Sequence, residues 1–173
     1  MKEQNFDLTL WADSLTYWRE NKNISIESQR KEFFANLCKI IGELGEAVAD
    51  KENSKNEIVK AICDIINISI NASDVKGDDK YTKHYLNIYV EASEIGVEDT
   101  DLAFELLPLF LSKAMELAFG IQELGWRIML QDLIPKAVMI IEYLGYDFNL
   151  VMNEMVDELK LPKRADFSKA RRE

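Results

Sequence analysis

The chain has 173 residues, enough for one domain with a real core, and no repeat or low-complexity linker divides it. Nearly half the residues are hydrophobic and 30% are charged, but there are only 7 Gly and 3 Pro, too few turn formers for a sandwich or barrel. A net charge of −10 argues against a nucleic-acid polymer as partner, whose phosphates call for a basic face; a nucleotide stays open, because a metal ion can offset its charge.

The opening stretch, MKEQNFDLTLWADSL, is too charged for a signal peptide, and no run approaches 18 apolar residues. No membrane span is expected, and a cytoplasmic location follows. Leu8, Trp11, Leu15 and Trp18 recur at helical spacing and predict a first helix over residues 8–21. NKNIS breaks it, and Ser25 or Ser28 is placed to cap a second helix. That helix runs from about 28 to 50, with an apolar stripe of Phe34, Leu37, Ile41, Leu44 and Val48. KENSKN is a short loop, and a third helix follows over about 54–74. Cys38 and Cys63 fall on apolar helix faces and read as two buried, reduced thiols, with an interhelical disulfide the less favoured alternative.

VKGDDK is a turn. YTKHYLNIYVEASEIG reads as another helix ended by Gly96, although its Tyr, Thr and Val leave a strand open. The next helix starts from Asp or Thr caps, and Pro108 is expected to kink or divide it. Residues 126–143 are apolar on most faces, and Pro135 offers the start of a new helix. LGYDFNLVMNEMVDELK is a turn and a last helix. The tail, LPKRADFSKARRE, is basic and expected to be mobile from about residue 162. The expectation is a single all-α domain over 1–173, a bundle of about five or six helices. The apolar runs FELLPLFL and WRIML are ordinary core, or an interface between copies of the chain.

Chemistry concentrates on the second and third helices. Glu43, Glu46 and Asp50 are three and four residues apart and share one helix face, which Asn36 and Lys39 extend. A solvated surface is the ordinary reading of such a face. The third helix differs. Glu57, Lys60, Asp64, Asn67, Asn71 and Asp74 form a narrow polar stripe on a helix otherwise built of Ile, Val, Ala and Cys. Carboxylates flanked by protein are costly unless paired or bound to metal, and Lys60 is at hand to pair with Glu57 or Asp64. The short loop makes the two helices antiparallel neighbours, so their polar stripes can face each other. Glu43, Glu46, Asp50, Glu57 and Asp64 would then gather against Lys39 and Lys60. Oxygen ligands without His or Cys favour a hard cation, Mg²⁺ or Mn²⁺, completed by waters and phosphate oxygens.

These residues resemble the all-α nucleoside triphosphate pyrophosphohydrolases, the MazG-like and dimeric dUTPase-like superfamily. The resemblance covers about residues 33–70. The family's E-x-x-E half is intact as Glu43-Leu-Gly-Glu46 within GELGEAVAD, and KAICDIINISI places Asp64 where the second motif has its aspartate. Lys39 matches a lysine common in phage-type members. Position 61 is Ala where the motif has glutamate, with Glu57 one turn earlier as a substitute. Gly42 replaces a frequent acid, and Cys63 a frequent glycine.

The resemblance implies hydrolysis of a (d)NTP to the monophosphate and pyrophosphate. It implies Glu43, Glu46 and Asp64 as metal ligands, and Glu57 as a fourth ligand or water activator. Glu46 and Glu57 are the catalytic candidates; Lys39, Lys60 and Asn67 are the substrate-binding ones. It also implies a homodimer or homotetramer. Trp11, Trp18 and Tyr17 are candidates to stack a base, with core the usual place for Trp11 and Trp18. His84 reads as a surface residue. The alternative is a member that kept the helical fold as an interaction protein and lost the chemistry.

Overall fold

The structure, a computed structural model, describes residues 3–50, 54–73, 87–91, 95–120, 126–161 and 165–173. Six α-helices account for most of these residues: α1 (Thr9–Lys22), α2 (Ile26–Ala49), α3 (Lys55–Ser73), α4 (Thr100–Gly120), α5 (Trp126–Tyr143) and α6 (Phe148–Lys160). The helical bundle expected from the sequence is therefore present. A two-stranded antiparallel ribbon is added to it, β1 (Glu3–Asp7) against β2 (Asn87–Glu91), with Phe6 opposite Ile88. β1 was not foreseen; β2 takes the strand alternative left open for its stretch. Phe6, Leu8, Ile88 and Val90 are all buried, so each strand alternates toward the core. The VKGDDK turn and His84 lie outside the described residues.

Local signals set the helix ends. Ser25 caps α2, its hydroxyl accepting the Ser28 N–H at 3.1 Å. Asn23 ends α1 in the left-handed conformation that Asn tolerates, φ 53°. Buried Ser54 donates its hydroxyl to the carbonyls of Ala47 and Asp50, satisfying the end of α2 and pinning the start of α3.

α2 and α3 make the most extensive interhelical contact, closely followed by α4 and α5. α2 buries Phe33, Leu37, Ile40, Leu44 and Ala47. The stripe predicted through Phe34, Ile41 and Val48 is thus rotated by about one residue, and Phe34 is 56% exposed. Both sets have helical spacing, so periodicity alone does not separate them. Cys38 moves with the exposed side and is accessible, contrary to expectation, whereas Cys63 is fully buried; both are free thiols.

Neither helical proline breaks its helix. α4 runs unbroken through Pro108 and α5 through Pro135. Leu107, Phe110 and Ala114 on α4, and Ile134, Ala137 and Val138 on α5, are buried around them. Burial of these faces outweighs the loss of one backbone bond.

The tail is also a correction. Residues 165–173 are docked, not mobile. Phe167 and Ala170, in a short 3₁₀ turn (Phe167–Ala170), are buried. Asp147 N–H donates to Ala170 O, and Arg172 N–H to Gly145 O, both at 2.8 Å. Arg172 also forms an ion pair with buried Glu142, whose Oε1 accepts the Phe148 N–H at 2.8 Å. The basic residue that suggested a solvated tail neutralises a carboxylate inside the fold.

Candidate functional site

α2 and α3 are antiparallel, and their polar faces meet along a cleft in two sections. The acidic section, about 280 Å³, is lined by Glu43, Glu46 and Ala47 from α2 and by Glu57, Lys60, Ala61 and Asp64 from α3. The second section, about 410 Å³, continues toward the start of α2 and the end of α3. Glu32, Asn36 and Lys39 of α2 line it with Asn67 and Asn71 of α3, and α1 contributes Leu15 and Trp18. Glu43 and Asp64 line both sections.

Burial increases along the α3 stripe. Glu57 is exposed, Lys60, Asp64 and Asn67 are half-buried, and Asn71 is buried. The opposite face of α3 is sealed in the core by Ile58, Ile62, Ile65 and Ile66. Its buried hydroxyls are absorbed locally: Ser69 donates to Ile65 O at 2.6 Å, and Ser73 to Ser69 O. Cys63 lies on this inner side, where burial, reinforced by the charge of Asp64, pushes its thiol well above the usual range. It is inert packing, not a nucleophile.

Glu43, Glu46, Glu57 and Asp64 therefore line one section of the cleft, with Lys39 and Asn67 in the adjoining section. Lys60 reaches Glu158 of α6 at 3.4 Å and does not answer the cleft carboxylates alone. Asp50 stands apart from both sections as the last residue of α2's cap. Glu32, Glu43, Glu46, Glu57 and Asp64 face the cleft against two lysines, so an unaccompanied polyphosphate is repelled there.

Among the described residues, no group of three or more His, Cys, Asp or Glu side chains is gathered closely enough to hold a metal ion. The donor set suits Mg²⁺ brought in with a phosphate ligand, which needs only one or two protein carboxylates, and not a permanently caged ion. Glu43 and Asp64, which line both sections, are the pair best placed for that.

The three aromatic candidates separate. Trp11 is fully buried, stacked on Phe148 at 6.3 Å, and its indole N–H donates to Asn67 Oδ1 at 2.5 Å. Trp18 is half-buried and lines the larger section, with Lys22 5.5 Å from its ring. Tyr17 is exposed and lines neither section.

Two arginines were missed by sequence reasoning. Arg19 Nη1 donates to Asn71 O at 3.1 Å, and Arg30 Nε to Ala72 O at 2.9 Å. The last turn of α3 holds no basic residue of its own. Neighbouring helices supply the cations that its carbonyl end favours. No sequence pattern announces this, because both bonds join residues far apart in the chain. Glu32 was legible: with Asn36, Lys39 and Glu43 it continues one helix face.

No protein-family model, curated protein or solved structure matches this chain.

Proposed function

We propose that this protein is a Mg²⁺-dependent nucleoside triphosphate pyrophosphohydrolase of the cytoplasm, converting a (d)NTP and water to the monophosphate and pyrophosphate. The observation that carries the reading is that Glu43 and Asp64 line both an acidic section and a neighbouring section walled by Trp18. That arrangement matches a triphosphate at one end and a base at the other. The resemblance of residues 33–70 to the all-α pyrophosphohydrolases, carried by the same carboxylates, supports it.

Glu43 and Asp64 would hold the ion together with the phosphate oxygens; Glu46 and Glu57, which the resemblance also implies as ligands, are not gathered closely enough with them to complete the set. When bound, Mg²⁺ or Mn²⁺ supplies positive charge to the phosphate oxygens and acidifies a bound water. On this reading Glu46 and Glu57 would orient the water and take its proton. The water oxygen bonds to the α-phosphorus, the α–β bridging P–O bond breaks, and pyrophosphate leaves with the electron pair. Lys39, from the adjoining section, and Lys60, in exchange for Glu158, would neutralise phosphate. Self-association into a dimer or tetramer belongs to the same reading, and the exposed pair Phe34 and Phe119 beside a small apolar recess offers a surface for it.

A second reading is favoured by Ala61, buried at 4% exposure in the wall of the acidic section where the resembled motif has glutamate. On that reading the chain is a helical interaction protein that has lost the chemistry. Pyrophosphate release from a panel of ribo- and deoxyribonucleoside triphosphates, with Mg²⁺ or Mn²⁺, separates the two. Metal-dependent release by wild type and none by Glu46→Gln is the expected result. A folded wild type that turns over no triphosphate leaves the second reading standing.

A further inference from the structure

Tyr146, just after α5, pairs with Arg171 of the docked tail in an isolated antiparallel bridge. Residues opposed in such a pair send their side chains to the same face. Tyr146 is buried and Arg171 is exposed, so the guanidinium leaves the bridge on the phenol's side and reaches solvent. Arg172 fixes the bridge from the next position: its N–H donates to Gly145 O and its Nη2 to Tyr146 O, both at 2.8 Å.

The bridge adjoins the start of α3. A Cβ on Gly145 would stand 3.1 Å from the Glu98 carboxylate, and Glu98 pairs with Lys55 in the first turn of α3 at 2.5 Å. Two residues further on, Glu57 lines the acidic section. The Tyr146 phenol feels both neighbours. Burial raises its pKa, the charge of Arg171 lowers it, and the charges of Glu57 and Glu98 raise it.

Along α3, Asn67 belongs to the section walled by Trp18, and Glu57 stands at the opposite end of the stripe. A triphosphate with its base beside Trp18 therefore extends its terminal phosphates toward Glu57. The lysine of that section, Lys60, is shared with Glu158.

We propose that Arg171 is a phosphate-binding residue, carried by the tail to the Glu57 end of the acidic section, where it grips the terminal phosphates of the substrate. A guanidinium presents two parallel N–H donors to phosphate oxygens, which an ammonium does not. The inference rests on the hydrolase reading above. It adds that the tail belongs to the site, on the side of the leaving pyrophosphate.

The test combines triphosphate turnover with calorimetric titration by pyrophosphate plus Mg²⁺ and by nucleoside monophosphate. Arg171→Ala is expected to melt like wild type, because the bridge uses its backbone and its side chain is exposed. It should bind Mg²⁺–pyrophosphate about tenfold more weakly and raise KM by a similar factor, with monophosphate affinity unchanged. Arg171→Lys should recover part of the loss, and Lys169→Ala, which removes another exposed charge of the tail, should lose nothing. If Arg171→Ala does not fold, Arg171→Lys decides by the same readouts, since it keeps the charge and loses the fork. An unchanged KM in the folded variant, an equal loss in Lys169→Ala, or an equal loss of monophosphate affinity overturns the role of Arg171 and leaves the hydrolase reading intact. A folded wild type that neither binds Mg²⁺–pyrophosphate nor turns over any triphosphate overturns both.

Discussion

The indole N–H of Trp11 donates to Asn67 Oδ1 at 2.5 Å, so a core residue of α1 sets the orientation of a polar side chain in the α2–α3 cleft. Trp11→Phe keeps the aromatic packing on Phe148 but leaves that oxygen without its donor. A loss of about 1–3 kcal/mol in urea unfolding is expected. If Asn67 contacts substrate, KM rises while kcat changes little, because the amide is freed to rotate.

Arg19 is 5% exposed and closes the carbonyl end of α3. Arg19→Met retains much of the side-chain stem but removes the charged donor. It should destabilise the protein by about 1.5–3 kcal/mol in chemical denaturation. Glu46→Gln, on the exposed face of α2, should leave the same unfolding curve unchanged within about 0.5 kcal/mol. That contrast is measurable whether or not the protein is an enzyme.

Docking of the tail makes Phe167 a core residue. Phe167→Ala is expected to cost about 3–5 kcal/mol, read as a shift in the urea midpoint. A mobile tail would show no shift, and that outcome would contradict the docked arrangement.

The two cysteines should behave differently toward a thiol reagent. Cys38 reacts in the native protein, and Cys63 only after unfolding. Cys63 also imposes a direction on pH dependence. Below the unfolded thiol pKa, about 8.5, both states keep the proton and stability is indifferent to this group. Above it the unfolded chain loses the proton while the folded chain, its pKa raised, keeps it. Stability therefore falls as pH rises past about 8.5, and less so in Cys63→Ala after allowance for the lost packing. An unchanged slope in that variant would remove Cys63 as the cause.

The sequence was most informative where two periodicities coincided. Glu57, Lys60, Asp64, Asn67 and Asn71 stand out because the rest of α3 is apolar, and the structure puts that stripe along a cleft. α2 was harder, because Phe33 and Phe34 are adjacent and either begins an acceptable apolar stripe. The tail was misjudged because its charge was visible and its partner, Glu142, was not. β1 went unread because five residues, EQNFD, carry too little alternation to outweigh their polarity. The larger section of the cleft was legible only in part. Trp18 and Asn71 can be picked out, but the bonds from Arg19 and Arg30 that shape it depend on tertiary proximity.

Those two arginines give the cleft ends unequal freedom to change. Glu46 and Glu57 stand on exposed helix faces and anchor nothing in the core, so substitutions there can alter chemistry while the fold persists. At the other end, Arg19, Trp11 and Asn67 bind α1 and α3 together while shaping the wall of the same cavity. A lineage of such proteins can therefore lose or retune its acidic end by single steps. A change of shape at the end walled by Trp18 requires compensating changes on more than one helix.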